Sequence, residues 1–149
     1  MNLKDSINSD VKKAMHARDK EKIATLRLAM SEIRQIEIDG RKELNDTDVI
    51  TVLVRMIKQR RDSIAQYLNG SRPDLAEKEQ AEINIIQAYL PEQLTDAEID
   101  TIIAQAITDT GAESMKDMGR VMGKLKDQLQ GRADMGTVSD RVKAKLNGP

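Results

Sequence analysis

The sequence predicts an all-α protein: an N-terminal bundle of about four longer helices, followed by a small C-terminal bundle of three shorter ones. Three observations carry this. Apolar residues recur at three- and four-residue spacing nearly throughout, the interval that gathers side chains on one helix face. Residues that open and close helices punctuate the chain at helix-length intervals. No stretch alternates apolar and polar residues for long enough to specify a strand.

The first helix shows Leu3, Ile7, Val11 and Met15 on one side. Asp19 is a candidate N-cap for the second, whose stripe is Ile23, Leu26, Met30 and Ile33. Gly40 opens a short polar link to Asn45. The third start is specified twice. Asn45 can cap with Asp48 at the third helical position, and Leu44 with Val49 can form a hydrophobic staple. That helix is expected to reach Asn69, with Val49, Leu53, Met56, Ile64 and Tyr67 facing inward and Gly70 as a left-handed stop. Pro73 suits the first turn of a fourth helix, buried through Leu75, Ile83, Ile86 and Leu90. Pro91 disfavours helix at Leu90 and is expected to end it there. A boundary near Tyr89–Gln93 then divides the chain into a helical domain over 1–90 and a second over 91–149.

The second half repeats this grammar. Thr95 to Glu98 reads as a capping box and Leu94 with Ile99 as a staple, before Ile99, Ile102, Ile103, Ala106 and Ile107. Gly111 closes that helix. Ser114 with Asp117 opens the sixth, striped by Met118, Val121, Met122, Leu125 and Leu129 and closed by Gly131. Asp134 or Thr137 opens the last, through Val138, Val142 and Leu146.

Composition excludes several chemistries. The 149 residues carry 24 basic and 25 acidic side chains and no cysteine. There is therefore no disulfide framework, thiolate nucleophile or cysteine zinc site, and a reducing cytoplasmic setting is expected. Global charge names no polyanionic partner. Tyr67 and Tyr89 are the only aromatics, too few for a base-stacking platform. Residues 1–10 hold no signal-peptide core, and the richest apolar run, Val49–Val54, is far too short to cross a bilayer; no membrane partner is expected. His16 is the sole histidine, and no second ligand stands four residues away. The serines lie outside any nucleophile motif, no glycine-rich phosphate loop occurs, and Glu77, Glu79 and Glu82 read as a solvated face. We expect no catalytic residue, no metal and no cofactor.

Two features stand above this background. Charge is segregated late in the chain. Residues 91–111 hold five acids and no base, whereas 112–149 hold eight bases and five acids. Lys116, Arg120 and Lys124 are four apart, a row along one face of the sixth helix that can track phosphates or be an ordinary solvated face. Gly119 and Gly123 lie between them. Each costs about 1 kcal/mol relative to Ala inside a helix. Either another helix packs closely there, or a nucleic-acid backbone approaches. A further basic run, Lys58-Gln59-Arg60-Arg61, falls on the third helix. Its Arg60 lies near the apolar stripe and is expected to pair with acids of a packed neighbour.

The runs Ala88–Glu98, Lys116-Asp-Met-Gly-Arg-Val-Met-Gly-Lys124, Gly131-Arg-Ala-Asp-Met135 and Val138-Ser-Asp-Arg-Val-Lys143 resemble the GatB/YqeY family, as do Ile57–Ile64 and Gly70–Leu75. The resemblance, to the stand-alone YqeY-like members, spans nearly the whole chain. It implies an all-helical protein whose last part matches the tail domain of the B subunit of the glutamyl/aspartyl-tRNA amidotransferase, which helps recognise the tRNA body. By resemblance, Lys116, Gly119, Arg120, Gly123 and Lys124 carry over, followed by Gly131, Arg132 and Asp134. The larger domain holding that subunit's activating site has no counterpart, so the resemblance implies no intrinsic carbon–nitrogen ligase activity with glutamine as amido donor. The expected function is non-catalytic binding of structured RNA, tRNA above all, through Lys116, Gly119, Arg120, Gly123, Lys124, Arg132 and Lys143. Two alternatives stand beside it: an accessory to the amidotransferase, partnered by its subunits, and a protein-interaction adaptor working through the N-terminal helices with Met15, Met30 and Met56.

Overall fold

The computed structural model describes residues 2–147. Among these the regular elements are seven α-helices and one 3-10 turn, so the protein is all-α. Helices α1 (Leu3–Ala17), α2 (Lys20–Gly40), α3 (Asp46–Asn69) and α4 (Pro73–Gln87) precede α5 (Asp96–Thr110). A 3-10 turn over Met115–Asp117 leads into α6 (Met118–Leu129), and α7 (Met135–Asn147) follows. The chain divides into two compact units, residues 1–90 and 91–149.

Local chemistry explains the helix starts. The side chains of Asn2, Asp19, Asn45 and Thr95 each accept a backbone N–H of the first turn, satisfying donors the helix cannot. Asn45 and Thr95 belong to full capping boxes, with Asp48 and Glu98 reaching back to the cap N–H. Asp134 opens α7, accepting from the Gly136 N–H and the Thr137 hydroxyl.

The ends depart from the expectation in three places. Gly40 is the last residue of α2, and Arg41 takes the left-handed conformation at φ 51°. Gly70 lies at φ −87°, and Ser71 instead turns left-handed at φ 57°. Helix α2 thus runs one residue past the expected end, whereas α3 ends at Asn69 as expected and only its left-handed residue is displaced, from Gly70 to Ser71. A bond from the next N–H to a carbonyl five residues back, Lys42 to Glu37 and Arg72 to Tyr67, then closes each helix. Helix α4 ends at Gln87 rather than Leu90, because Tyr89 and Leu90 donate to carbonyls three residues back in a tighter turn. Gly111 and Gly131 do stop their helices with positive φ, 67° and 82°.

In the first unit, α3 packs most extensively on α4 and α1 on α2, while α2 also meets α3 and α4. Ile7, Leu26, Ile33, Leu53, Met56 and Ile86 are its largest fully buried side chains. Met56 and Met30 therefore belong to the core and are withdrawn as adaptor contacts, whereas Met15 is 50% exposed. Arg60 is buried against α4, its Nε 3.4 Å from Glu82 Oε2. Lys4 binds Glu37 at 2.7 Å and Glu43 at 3.0 Å. The bond from Lys4, then that from the Leu44 N–H, holds the Glu37 carboxyl below the usual range. The Tyr89 hydroxyl donates to Asp10. Burial first, and the Asp10 bond second, raise its phenol well above its ordinary value.

The second unit has a core of its own. Ile103 of α5, Val121, Leu125 and Leu129 of α6, and Val138 and Val142 of α7 are fully buried together. The segment before α5 is tied to the α6–α7 loop: the Leu94 N–H donates to Arg132 O at 2.9 Å, and Gln93 Nε2 to Gly131 O at 2.7 Å.

Candidate nucleic-acid interface

The candidate surface is the outer side of α6. Val121, Leu125 and Leu129 point into the core, so helical geometry turns Gly119, Arg120, Gly123, Lys126 and Asp127 outward; all five are exposed. A Cβ added at Gly119 or Gly123 would meet nothing within 4 Å. Among the described residues of the C-terminal unit, then, no helix packs closely there, the first of the two explanations open from the sequence.

The row Lys116–Arg120–Lys124 is not one helical row. Lys116 sits on the 3-10 turn before α6, because Ser114 and Asp117 close their capping box there and α6 starts only at Met118. Arg120 pairs with Asp117 and donates to Thr110 O at 3.2 Å. Lys124 lies 2.9 Å from Asp109 Oδ2 on α5. Among the described residues no acid lies within ion-pair distance of Lys116, Lys126, Lys143 or Lys145. Arg132 makes a long contact, 3.5 Å, to Glu92 O. Lys143 is exposed on α7, and no contact joins it to the α6 surface.

Both acids carry lowered carboxyl pKa values. For Asp109 the Lys124 bond leads, followed by Gln105. For Asp117 the Glu113 N–H leads, followed by Arg120. Groups lowered in the folded state stabilise it above their unfolded pKa and lose that contribution as pH falls through the folded value. These pairs are therefore intact at neutral pH and dissolve only on acidification.

Arg141, absent from the expected set, has the most developed role of the late cations. It bridges α7 to α5 through Asp100 at 2.8 Å and Asp96 at 3.0 Å. The sequence signal for this was the charge segregation: part of it is an interhelical tie, Arg141 of α7 and Lys124 of α6 against the acids of α5. No helix of the described residues is long and apolar enough to cross a membrane, and no group of three or more metal-binding side chains occurs among them.

The sequence model of the family described as Yqey-like protein matches residues 4–146, nearly the whole chain. This chain belongs to the YqeY-like family. Among similar proteins, one of Pyrenophora tritici-repentis named altered inheritance of mitochondria protein 41, mitochondrial, is 30% identical over 139 residues, 91% of this chain and 76% of that protein. The Kluyveromyces lactis protein of that name is 36% identical over 125 residues, 80% of this YqeY-like chain and 67% of the relative. The Lachancea thermotolerans protein is 36% identical over 107 residues, with 70% and 57% covered. The match thus spans from just over half to three-quarters of these relatives. Their names overturn the cytoplasmic setting expected from the sequence, since the relatives are called mitochondrial. A cysteine-free composition does not distinguish one reducing compartment from another.

Proposed function

We propose that the C-terminal unit binds structured RNA, with tRNA as the representative ligand, across the outer face of α6. The observation that supports this is the uncovered pair Gly119 and Gly123. Each weakens the helix by about 1 kcal/mol relative to Ala, and no packing contact offsets that cost. A bare strip lets a ribose–phosphate backbone come close, with Lys116, Arg120 and Lys124 beside it and Arg132 and Lys143 as further cations of the same unit. The pairs of Arg120 with Asp117 and of Lys124 with Asp109 are solvent-accessible, and exposed pairs of this kind exchange readily for phosphate. Recognition is then by shape and backbone charge, and binding weakens steeply with salt.

Filter binding to bulk tRNA tests this with two variants. Lys116→Ala/Arg120→Ala/Lys124→Ala is expected to bind about tenfold or more weakly at moderate salt; binding equal to wild type removes the site. Gly119→Ala/Gly123→Ala separates stability from function. Both positions are helical and open, so the pair is expected to stabilise the fold by about 2 kcal/mol in urea melts while weakening RNA binding several-fold. Stabilisation with undiminished binding removes the glycine strip from the interface. An accessory part in tRNA-dependent amidation rests on the family resemblance, and co-purification with amidotransferase subunits tests it.

A further inference from the structure

A second surface, in the N-terminal unit and independent of the RNA reading, carries an inference of its own. Arg27, Ser31, Arg34 and Ile38 follow one another on α2 at spacings of four, three and four, with Arg41 at the left-handed C-cap beyond them, and all five are exposed. That is the spacing of a seam along which a second helix lies. Ile38 is 70% exposed, the most open large apolar side chain among the described residues. Beside the seam a groove of about 490 Å³ runs between α1 and α2, with Val11 and Met30 in its lining.

Among the described residues no carboxylate lies within ion-pair distance of Arg27, Arg34 or Arg41. Glu37 is near Arg34, but its carboxylate is engaged by Lys4 and the Leu44 N–H. Arg27 reaches only the Met15 sulfur, at 3.5 Å. Arg27 and Arg34 thus stand two helical turns apart, about 10.5 Å along the axis, with Arg41 at the cap beyond them, beside an uncovered isoleucine and a groove of mixed polar and apolar lining.

We propose that this face of α2 docks an acidic amphipathic helix of a partner protein. Glu or Asp side chains one heptad apart meet Arg27 and Arg34, a further acid meets Arg41, and leucine-like side chains between them cover Ile38 and lie along the groove beside Ser31. The small Ser31 allows close approach of the partner helix. Charge complementarity selects an acidic partner, and the exposed Ile38 favours an amphipathic helix over a nucleic acid, whose phosphates leave Ile38 uncovered.

The test uses the full-length protein and a fluorescein-labelled synthetic helix of about 21 residues, three heptads, with Glu and Leu on one face, followed by anisotropy. Wild type is expected to bind it, and Arg27→Glu/Arg34→Glu to bind at least about tenfold more weakly, a loss of about 1.4 kcal/mol. Ile38→Asp is expected to weaken binding as well. The matching peptide with Glu replaced by Lys is expected to ignore wild type and bind the double Glu variant, a swap that misfolding cannot produce. Absence of binding by wild type, equal binding by the double Glu variant, or failure of the swap overturns the proposal. So does displacement of the peptide by tRNA that still binds Gly119→Ala/Gly123→Ala at full strength, which assigns this face to nucleic acid.

Discussion

Arg60→Ala is expected to destabilise the N-terminal unit by about 3–5 kcal/mol, the cost of breaking a buried ion pair from one side. The Arg60 side chain is 10% exposed and that of its partner Glu82 19%. Arg60 also donates from Nη1 to Met56 O at 3.2 Å. Truncation removes the cation and leaves Glu82 half-desolvated near Glu79. The Glu79 carboxyl is already raised, by burial first and by the charge of Glu82 second, with Arg60 opposing the rise. The double variant Arg60→Met/Glu82→Leu removes both charges and keeps the volume, and is expected to recover most of the loss. Urea unfolding followed by tyrosine fluorescence reads this unit alone, because Tyr67 and Tyr89, the two tyrosines, both belong to residues 1–90. A loss below about 1 kcal/mol for Arg60→Ala, the size of an exposed pair, would mean that water solvates Glu82 once the guanidinium is gone.

Leu125→Ala is expected to cost the C-terminal unit about 2–5 kcal/mol. Leu125 is fully buried at the centre of α6, within the core formed by α5, α6 and α7. A unit of about 60 residues has roughly 3–9 kcal/mol of total stability, so one cavity removes a large part of it. Far-UV circular dichroism, which sees every helix, is expected to lose part of its amplitude at lower urea, while the tyrosine transition stays in place. Movement of both transitions together would show that the two cores unfold as one. RNA binding by this variant is expected to follow the dichroism and not the fluorescence.

Much of the fold was legible because helices are decided locally. The Asn45–Asp48 and Thr95–Glu98 boxes, the stop at Gly111 and the stripe of α6 depend on residues within about four positions of each other, and each appears where the pattern places it; of the α3 stripe, Val49, Leu53, Met56 and Ile64 join the core and Tyr67 does not. The stops at Gly40 and Gly70 are displaced, because a left-handed residue is needed one place later. Arg41 and Ser71 accept it at a cost that closing hydrogen bonds can cover. Within the candidate site, helical periodicity put Arg120 and Lys124 in one row on α6 but left open whether Gly119 and Gly123 meet a packed helix or not, which only the packing decided. Periodicity placed Lys116 wrongly, since a capping box at Ser114 is satisfied equally well by a 3-10 turn.

From sequence alone came the all-α class, the faces of the helices and the family, because periodicity and caps are written in neighbouring residues. Tertiary structure decided which charges are spent and which are left over. Arg60 goes to Glu82, Lys124 to Asp109, and Arg141 to Asp96 and Asp100, whereas Arg27 and Arg34 keep no carboxylate partner and Gly119 and Gly123 stay uncovered. A repeat in sequence sets the direction in which a side chain points, but only the packing of another helix determines what it meets there.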